Sequence, residues 1–316
     1  MTAKHPPVVW LLVLGGGVLS ISTAAIFIRF AQAEAPSLVI AAGRMLAATL
    51  PLMIYALLKE RAALKMMRGR DLKLSILAGV FLAIHFAAWI SSLEFTSIAS
   101  SVVIVCTTPV WVTLADVVFF KGKIKPGTIA GIAVTLGGGM LVGLSDSCVI
   151  SSTGIHCQAA AAASGSRAAV GNLLALVGSW MAAAYLVIGR VVRQQVSLPV
   201  YTVVVYGTAA IGLCLGVALA RLPVGGYSPS VYGFIVLLAI FPQLIGHTSL
   251  NWALKYLPVT YVTIANMGEP IGSTLFAILL FKEIPTPLKV LGSVIILCGI
   301  YIVTRSGLRT GDQLPG

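Results

Sequence analysis

Apolar residues run through this chain in long, nearly unbroken stretches, and polar residues gather in short segments between them. Ten stretches stand out, at about 8–28, 36–57, 74–93, 98–120, 127–145, 170–189, 199–220, 231–252, 259–281 and 286–304. Each is near the ~20 residues that carry a helix across a bilayer. Helix is the state they predict, because an open strand would leave backbone groups unpaired in hydrocarbon. The first run is longer than a signal-peptide core and nine more follow it, so it is expected to be retained. The boundaries are tightest around Thr96 and Pro258, where neighbouring runs nearly touch.

The pattern then repeats. Adding 161 to Pro109 reaches Pro270, and the register holds without a gap over about fifty residues. It pairs Leu93 with Leu254, Thr113 with Thr274, Leu114 with Leu275, Phe120 with Phe281 and Lys121 with Lys282. It continues through Pro126 with Pro287, Gly131 with Gly292, Leu136 with Leu297, Gly138 with Gly299 and Val142 with Val303. Matched leucines and valines follow from apolar composition alone; the prolines, the glycines and the Phe-Lys pair do not. Five spans per repeat is an odd number, so the second half enters the membrane inverted. Many secondary transporters are built from such halves around a midplane site. The expected class is an all-α integral membrane protein of ten transmembrane helices in two inverted five-helix repeats. Its parts are a first repeat at 1–146, an external loop at 147–168, a second repeat at 169–305 and a cytoplasmic tail at 306–316.

Composition agrees with lipid as the solvent. The 316 residues are 58% hydrophobic and 9% charged, against about 25% charged in a soluble domain. The net charge of +12 sits in short clusters between apolar runs, so it encodes topology and calls for no nucleic acid. With the N-terminus inside, the inner segments hold fifteen Lys and Arg and the outer segments five, while Arg44 lies within a span. Both termini are expected to be cytoplasmic, in the cell inner (plasma) membrane.

Polar groups inside spans are costly and tend to face cavities. The third span offers His85 and Trp89 four apart on one face, with Ser92 a turn on, and the eighth offers His247 and Asn251 at the same spacing. Each histidine either lines a solute site or bonds a neighbouring carbonyl. The fourth span carries Thr107 and Thr108 before Pro109, and the ninth carries Asn266 and Glu269 before Pro270. An internal proline frees a carbonyl one turn earlier, so these two sites are the expected hinges unless they are packing kinks. Among Trp180, Tyr185 and Tyr206, Trp180 is the expected cavity residue; Trp10 reads as an interfacial anchor. Arg44 either binds an anionic group of a solute or ties helices together, with Asp116 and Glu94 as conceivable partners. Glu269, near the bilayer midplane, is the expected point of ion coupling, or else bonds the backbone that Pro270 frees.

The expected substrate-binding set is therefore His85, Trp89, Thr108, Trp180, His247, Asn251, Asn266 and Glu269, with Pro109 and Pro270 as hinges. Gly127, Gly131, Gly139 and Gly143 in the fifth span, and Gly292 and Gly299 in the tenth, suit close helix contact, within one chain or between two copies. Cys148 and Cys157 share the long outer loop, so a disulfide is open to them. No cluster has metal-ligand spacing, no Gly-rich phosphate loop follows a strand, and no nucleophile has a partner base. No catalytic residue, cofactor or metal is expected.

At the level of motifs, Ser91–Lys121 (SSLEFTSIASSVVIVCTTPVWVTLADVVFFK) resembles the fourth-helix signature of EamA-type members of the drug/metabolite transporter superfamily. Gly246–Glu283 (GHTSLNWALKYLPVTYVTIANMGEPIGSTLFAILLFKE) resembles its ninth-helix counterpart, and Gly43–Arg44 is similar to the family's second-helix arginine. One departure is plain: the family often has glutamate after the fourth span, where this chain has Gly122, while the second repeat keeps Glu283. The resemblance implies a cavity lined by helices 1, 3, 4, 6, 8 and 9, with 5 and 10 as supports. It implies a secondary-active transporter of a small polar metabolite, most typically an exporter of amino acids or related compounds. Protons or a counter-transported solute would drive it, and it would act as monomer or homodimer. A lipid scramblase or a membrane-embedded enzyme is the competing class.

Overall fold

A computed structural model describes residues 7–120, 126–145, 148–151, 154–157 and 163–308. The helices are α1 Leu12–Ala31, α2 Ser37–Lys59, α3 Gly69–Ser92, α4 Ile98–Phe119, α5 Pro126–Ser145, α6 Ala163–Val192, α7 Leu198–Leu219, α8 Pro229–Ala253, α9 Val259–Phe281 and α10 Pro287–Leu308. Among the described residues, eight are long and apolar enough to cross a membrane. Two shorter apolar helices, Pro126–Val142 and Pro287–Ile302, lie within α5 and α10. A short hairpin, β1 Cys148–Ser151 against β2 Gly154–Cys157, lies between α5 and α6 and sets Cys148 opposite Cys157. The side chains of that hairpin, residues 147, 152–153 and 158–162, and the tail beyond Leu308 lie outside the described residues, as does the disulfide question with them.

Helix pairing carries the repeat into space. The main contacts join α5 with α10, α3 with α6 and α7, α1 with α8 and α9, α2 with α7 and α8, and α4 with α6 and α9. Exchanging the halves, five helices apart, returns the same list. The 161-residue register extends to the helix ends as well. Gln32 Nε2 donates to the Ile90 carbonyl at 2.8 Å, and its mate Arg193 Nε donates to the carbonyl of Asn251, the mate of Ile90, at 3.1 Å. Each closes off the last turn of a helix, α3 or α8, whose final carbonyls have no partner within the helix.

The α5–α10 contact is closest at glycine. A methyl group on Gly138 would come within 2.8 Å of the Gly292 carbonyl, and one on Gly299 within 2.8 Å of the Gly131 carbonyl. Gly131 and Gly138 are the mates of Gly292 and Gly299, so the contact is reciprocal. These four glycines pack within the chain; Gly139, by contrast, has nothing within 4 Å.

The loops after α1, α3, α7 and α9 meet at one end of the bundle, the odd-loop end, where carboxylates take up the first amides of three helices. Glu94 accepts from Ser37 N–H at 3.2 Å, Glu283 from Ile98 N–H at 2.8 Å and Glu34 from Ser228 N–H at 2.8 Å. Each satisfies an orphan donor and complements the helix dipole. Hydrogen bonds from the Ser228 hydroxyl and amide hold the Glu34 carboxyl below the usual carboxylate range. That contact is therefore intact above the ordinary pKa and is lost only as pH falls through the lowered value. Glu283 also faces half-buried Arg29 at 3.9 Å, and Arg29 donates to the Thr96 carbonyl at 3.1 Å. A solvent-accessible ion pair at the 3.9 Å limit contributes only ~0–1 kcal/mol and a hydrogen bond to a charged group ~1.5–3 kcal/mol, so the bond to Ile98 is the stronger tie.

The glycine seam predicts a sharp contrast. Gly138→Ala should destabilise by about 1–3 kcal/mol, because backbone must move to admit the methyl. Gly139→Ala, facing open space, should leave stability unchanged or slightly higher. Thermal unfolding in one detergent compares them; equal melting temperatures would contradict the seam.

Candidate functional site

Two of the helices break where the prolines direct. In α4 the regular run ends at Val105 and resumes at Thr108; in α9 it ends at Ala265 and resumes at Gly268. Pro109 cannot donate to the Val105 carbonyl, and the Thr108 hydroxyl does so instead at 2.8 Å. Thr107 bonds the Ile104 carbonyl at 2.7 Å. In α9 the carbonyl left by Pro270 is that of Asn266, which accepts from the Glu269 backbone N–H at 3.0 Å. The Glu269 carboxylate is thereby left to other partners: Asn266 Nδ2 at 2.8 Å and the Cys106 thiol at 3.5 Å.

Between these breaks lies a cavity with walls from α1, α3, α4, α6, α8 and α9. Much of the wall consists of repeat mates. Ile21 faces it with Ala182, Trp89 with Leu250, Val105 with Asn266, and Thr108 with Glu269. Equivalent backbone positions thus present different chemistry, and the polar groups concentrate on α9. Pro109 and Cys106 complete the α4 wall.

His85 does both things open to it. Its Nδ1–H donates to the Gly178 carbonyl at 2.9 Å, and its ring lines the cavity, nearly parallel to Trp89 at 5.9 Å. Because a carbonyl only accepts, Nδ1 carries the proton, and the neutral ring keeps its lone pair at Nε2. His247 stands 6.3 Å from His85 and meets Phe86, its own repeat mate, edge-on at 5.3 Å.

Six of the eight expected binding residues line this one cavity: His85, Trp89, Thr108, His247, Asn266 and Glu269. Two do not. Trp180 is 38% exposed and packs edge-to-face on Trp111 at 5.4 Å, away from the wall, and Tyr185 takes the place expected of it. Asn251 is fully buried behind the wall; it accepts from the Tyr185 hydroxyl at 2.6 Å and donates to the Tyr206 hydroxyl at 3.2 Å. It holds a wall residue rather than forming the wall. Pro270 borders a separate, apolar surface hollow of α4, α9 and α10.

Arg44 also departs from expectation. Glu94 is engaged at the start of α2, and the Asp116 side chain lies outside the described residues. Arg44 instead donates from Nε to Gln243 Oε1 at 3.0 Å and stacks on the Phe86 ring at 4.2 Å. Gln243 was missed in the sequence, although its position beside Pro242 in an apolar span was a signal. It lies in a π-helical stretch, Ala239–His247, a distortion common at functional sites.

Comparison with known proteins follows the repeat. A sequence profile described as "EamA-like transporter family" matches residues 8–144 and again 169–305. An "Uncharacterized transporter" of Archaeoglobus fulgidus is 22% identical over 281 residues, 88% of this chain and 91% of that one. A crystal structure shares the fold with a TM-score of 0.66 at 18% identity, covering 96% of this chain and 99% of the other.

The placement of Asn251 and Trp180 generates a test. Asn251→Leu should leave the buried Tyr185 hydroxyl without its partner and cost about 1–3 kcal/mol, while the Tyr206 hydroxyl keeps its bond with Thr248 at 3.3 Å. Trp180→Ala, at a partly exposed site, should cost less and leave the cavity intact. Thermal unfolding of both variants is the measurement, and a larger loss for Trp180→Ala would refute the assignment.

Proposed function

This chain belongs to the EamA-like transporter family, and on that premise we propose that it is a secondary-active carrier of a small polar metabolite. Amino acids or related compounds, moved outward, are the substrate class. The observation that carries this reading is the cavity itself. It draws on both halves, is walled by aromatic rings and hydrogen-bonding groups, and holds a carboxylate beside a helix break. The competing class, a scramblase, needs a polar groove open to lipid; the hollow of α4, α9 and α10 is lined mainly by residues such as Val103, Ile271, Leu275 and Leu297.

The working cycle is alternating access of the halves 1–146 and 169–305, linked by 147–168, with Pro109 and Pro270 as pivots. A helix interrupted at mid-depth bends there at little cost, because its freed carbonyls already have substitute partners. His85, Trp89, Thr108, His247, Asn266 and Glu269 contact the solute. Glu269 couples transport to protons, since its carboxylate meets only a neutral amide and a thiol and has no cation within 4.0 Å among the described residues. The odd-loop end faces outward and both termini face the cytoplasm of a multi-pass plasma-membrane protein.

Two experiments test this. With the other four cysteines replaced by serine, Cys157 should react with an impermeant thiol reagent in intact cells; reaction only after lysis would reverse the orientation. Reconstituted protein should move a labelled amino acid from a metabolite panel, and Glu269→Gln should lower that flux about tenfold, ~1.4 kcal/mol, and flatten its pH dependence. Full flux with an unchanged pH profile would make Glu269 structural.

A further inference from the structure

Arg44 is an anomaly that the fold does not resolve. It lies seven residues into α2 with no exposed surface, where a cation is expensive unless it is paired. The one ion pair among the described residues is Arg29–Glu283. Of its guanidinium nitrogens only Nε has a partner, and both terminal nitrogens have none among the described residues. Because Arg44 Nε–H can only donate, Gln243 must present its oxygen there, which leaves Nε2 as a second unpartnered donor. His247, one turn further along α8, has no partner on Nδ1. A fixed positive charge thus lies beside the Gln243 amide with neither terminal guanidinium nitrogen bonded to an acceptor among the described residues.

Resting on the cavity reading above, we propose that Arg44 and Gln243 form the anion subsite of the carrier, and that Arg44 selects substrates bearing a carboxylate. A planar fork of N–H donors matches the two oxygens of a carboxylate, which a lysine ammonium cannot reproduce. Phe86 fixes the plane of the guanidinium from below, at 4.2 Å. His247 separates the subsite from the cavity: its ring lines the wall and meets Phe86 at 5.3 Å. In this conformation the subsite is closed, and the carboxylate reaches Arg44 when the His247 ring turns aside. The carboxylate of Glu269 stands on the α9 wall of the cavity, so the two ends of a bound solute would meet groups of opposite sign.

The test uses full-length protein in lipid nanodiscs at neutral pH and constant ionic strength, with benzoate and acetate as probes and benzamide and acetamide as their neutral counterparts. Melting temperature should rise saturably with the carboxylates and not with the amides. Arg44→Gln should abolish the rise, and Arg44→Lys should weaken the apparent affinity about tenfold. Equal responses to carboxylate and amide, no response to either carboxylate, or an undiminished response in Arg44→Gln would overturn the proposal. If Arg44 variants do not fold, Gln243→Leu replaces them, and an unchanged benzoate affinity there overturns it equally. Amino-acid flux measured in parallel separates the two readings. Intact flux without a carboxylate response removes only the subsite, whereas a carboxylate response without amino-acid flux removes only the substrate assignment.

Discussion

Hydrocarbon offers a backbone amide no partner, and this constraint decides where the bundle can open. The chain meets it by remaining helical, and two of its helices are interrupted at mid-length beside a proline, at Cys106–Thr107 and Asn266–Met267. At each interruption a substitute is at hand: the Thr108 hydroxyl for one freed carbonyl, the Glu269 amide for the other. The cavity lies beside these breaks because polar side chains already have to be there. A polar lining and a bendable helix are thus two outcomes of one proline per half.

The skeleton is symmetric and the chemistry is not. Reciprocal glycine contacts between α5 and α10, and the matched capping by Gln32 and Arg193, show the two halves using equivalent positions for equivalent structural work. Around the cavity the same positions diverge: Thr108 stands opposite Glu269, Val105 opposite Asn266 and Trp89 opposite Leu250. Packing constrains both halves alike, whereas a bound molecule has no two-fold symmetry and is met by different groups on its two sides.

The sequence carried the repeat register, the helix positions and the proline breaks, because each depends on spacing along the chain. It carried six residues of the wall for a related reason, since polar groups in apolar spans seldom face lipid. It failed on Trp180 and Tyr185. Both are amphipathic aromatics five apart on α6, and lipid and protein interior are equally apolar, so nothing in the pattern says which face turns inward. It also failed on Asn251, which shares a helix face with His247 but sits one turn nearer the helix end, behind Tyr185. The partner of Arg44 was out of reach, because Gln243 is 199 residues away and only the fold brings them together.

The tie at the odd-loop end, Glu283 to Ile98 and Arg29, joins the second half to the first. In the repeat register the mate of Arg29 is Arg190, which donates instead to the Leu254 carbonyl, and the mate of Glu283 is Gly122, a residue with no carboxylate to offer. In the alternating cycle proposed above, this inequality would bias the empty carrier toward the state in which the odd-loop end is shut. Such a bias cannot choose the direction of net flow, since every cycle passes through both states and only the gradients fix the outcome. It sets how long the site waits at each face, and so makes the two faces saturate at different concentrations of the same solute.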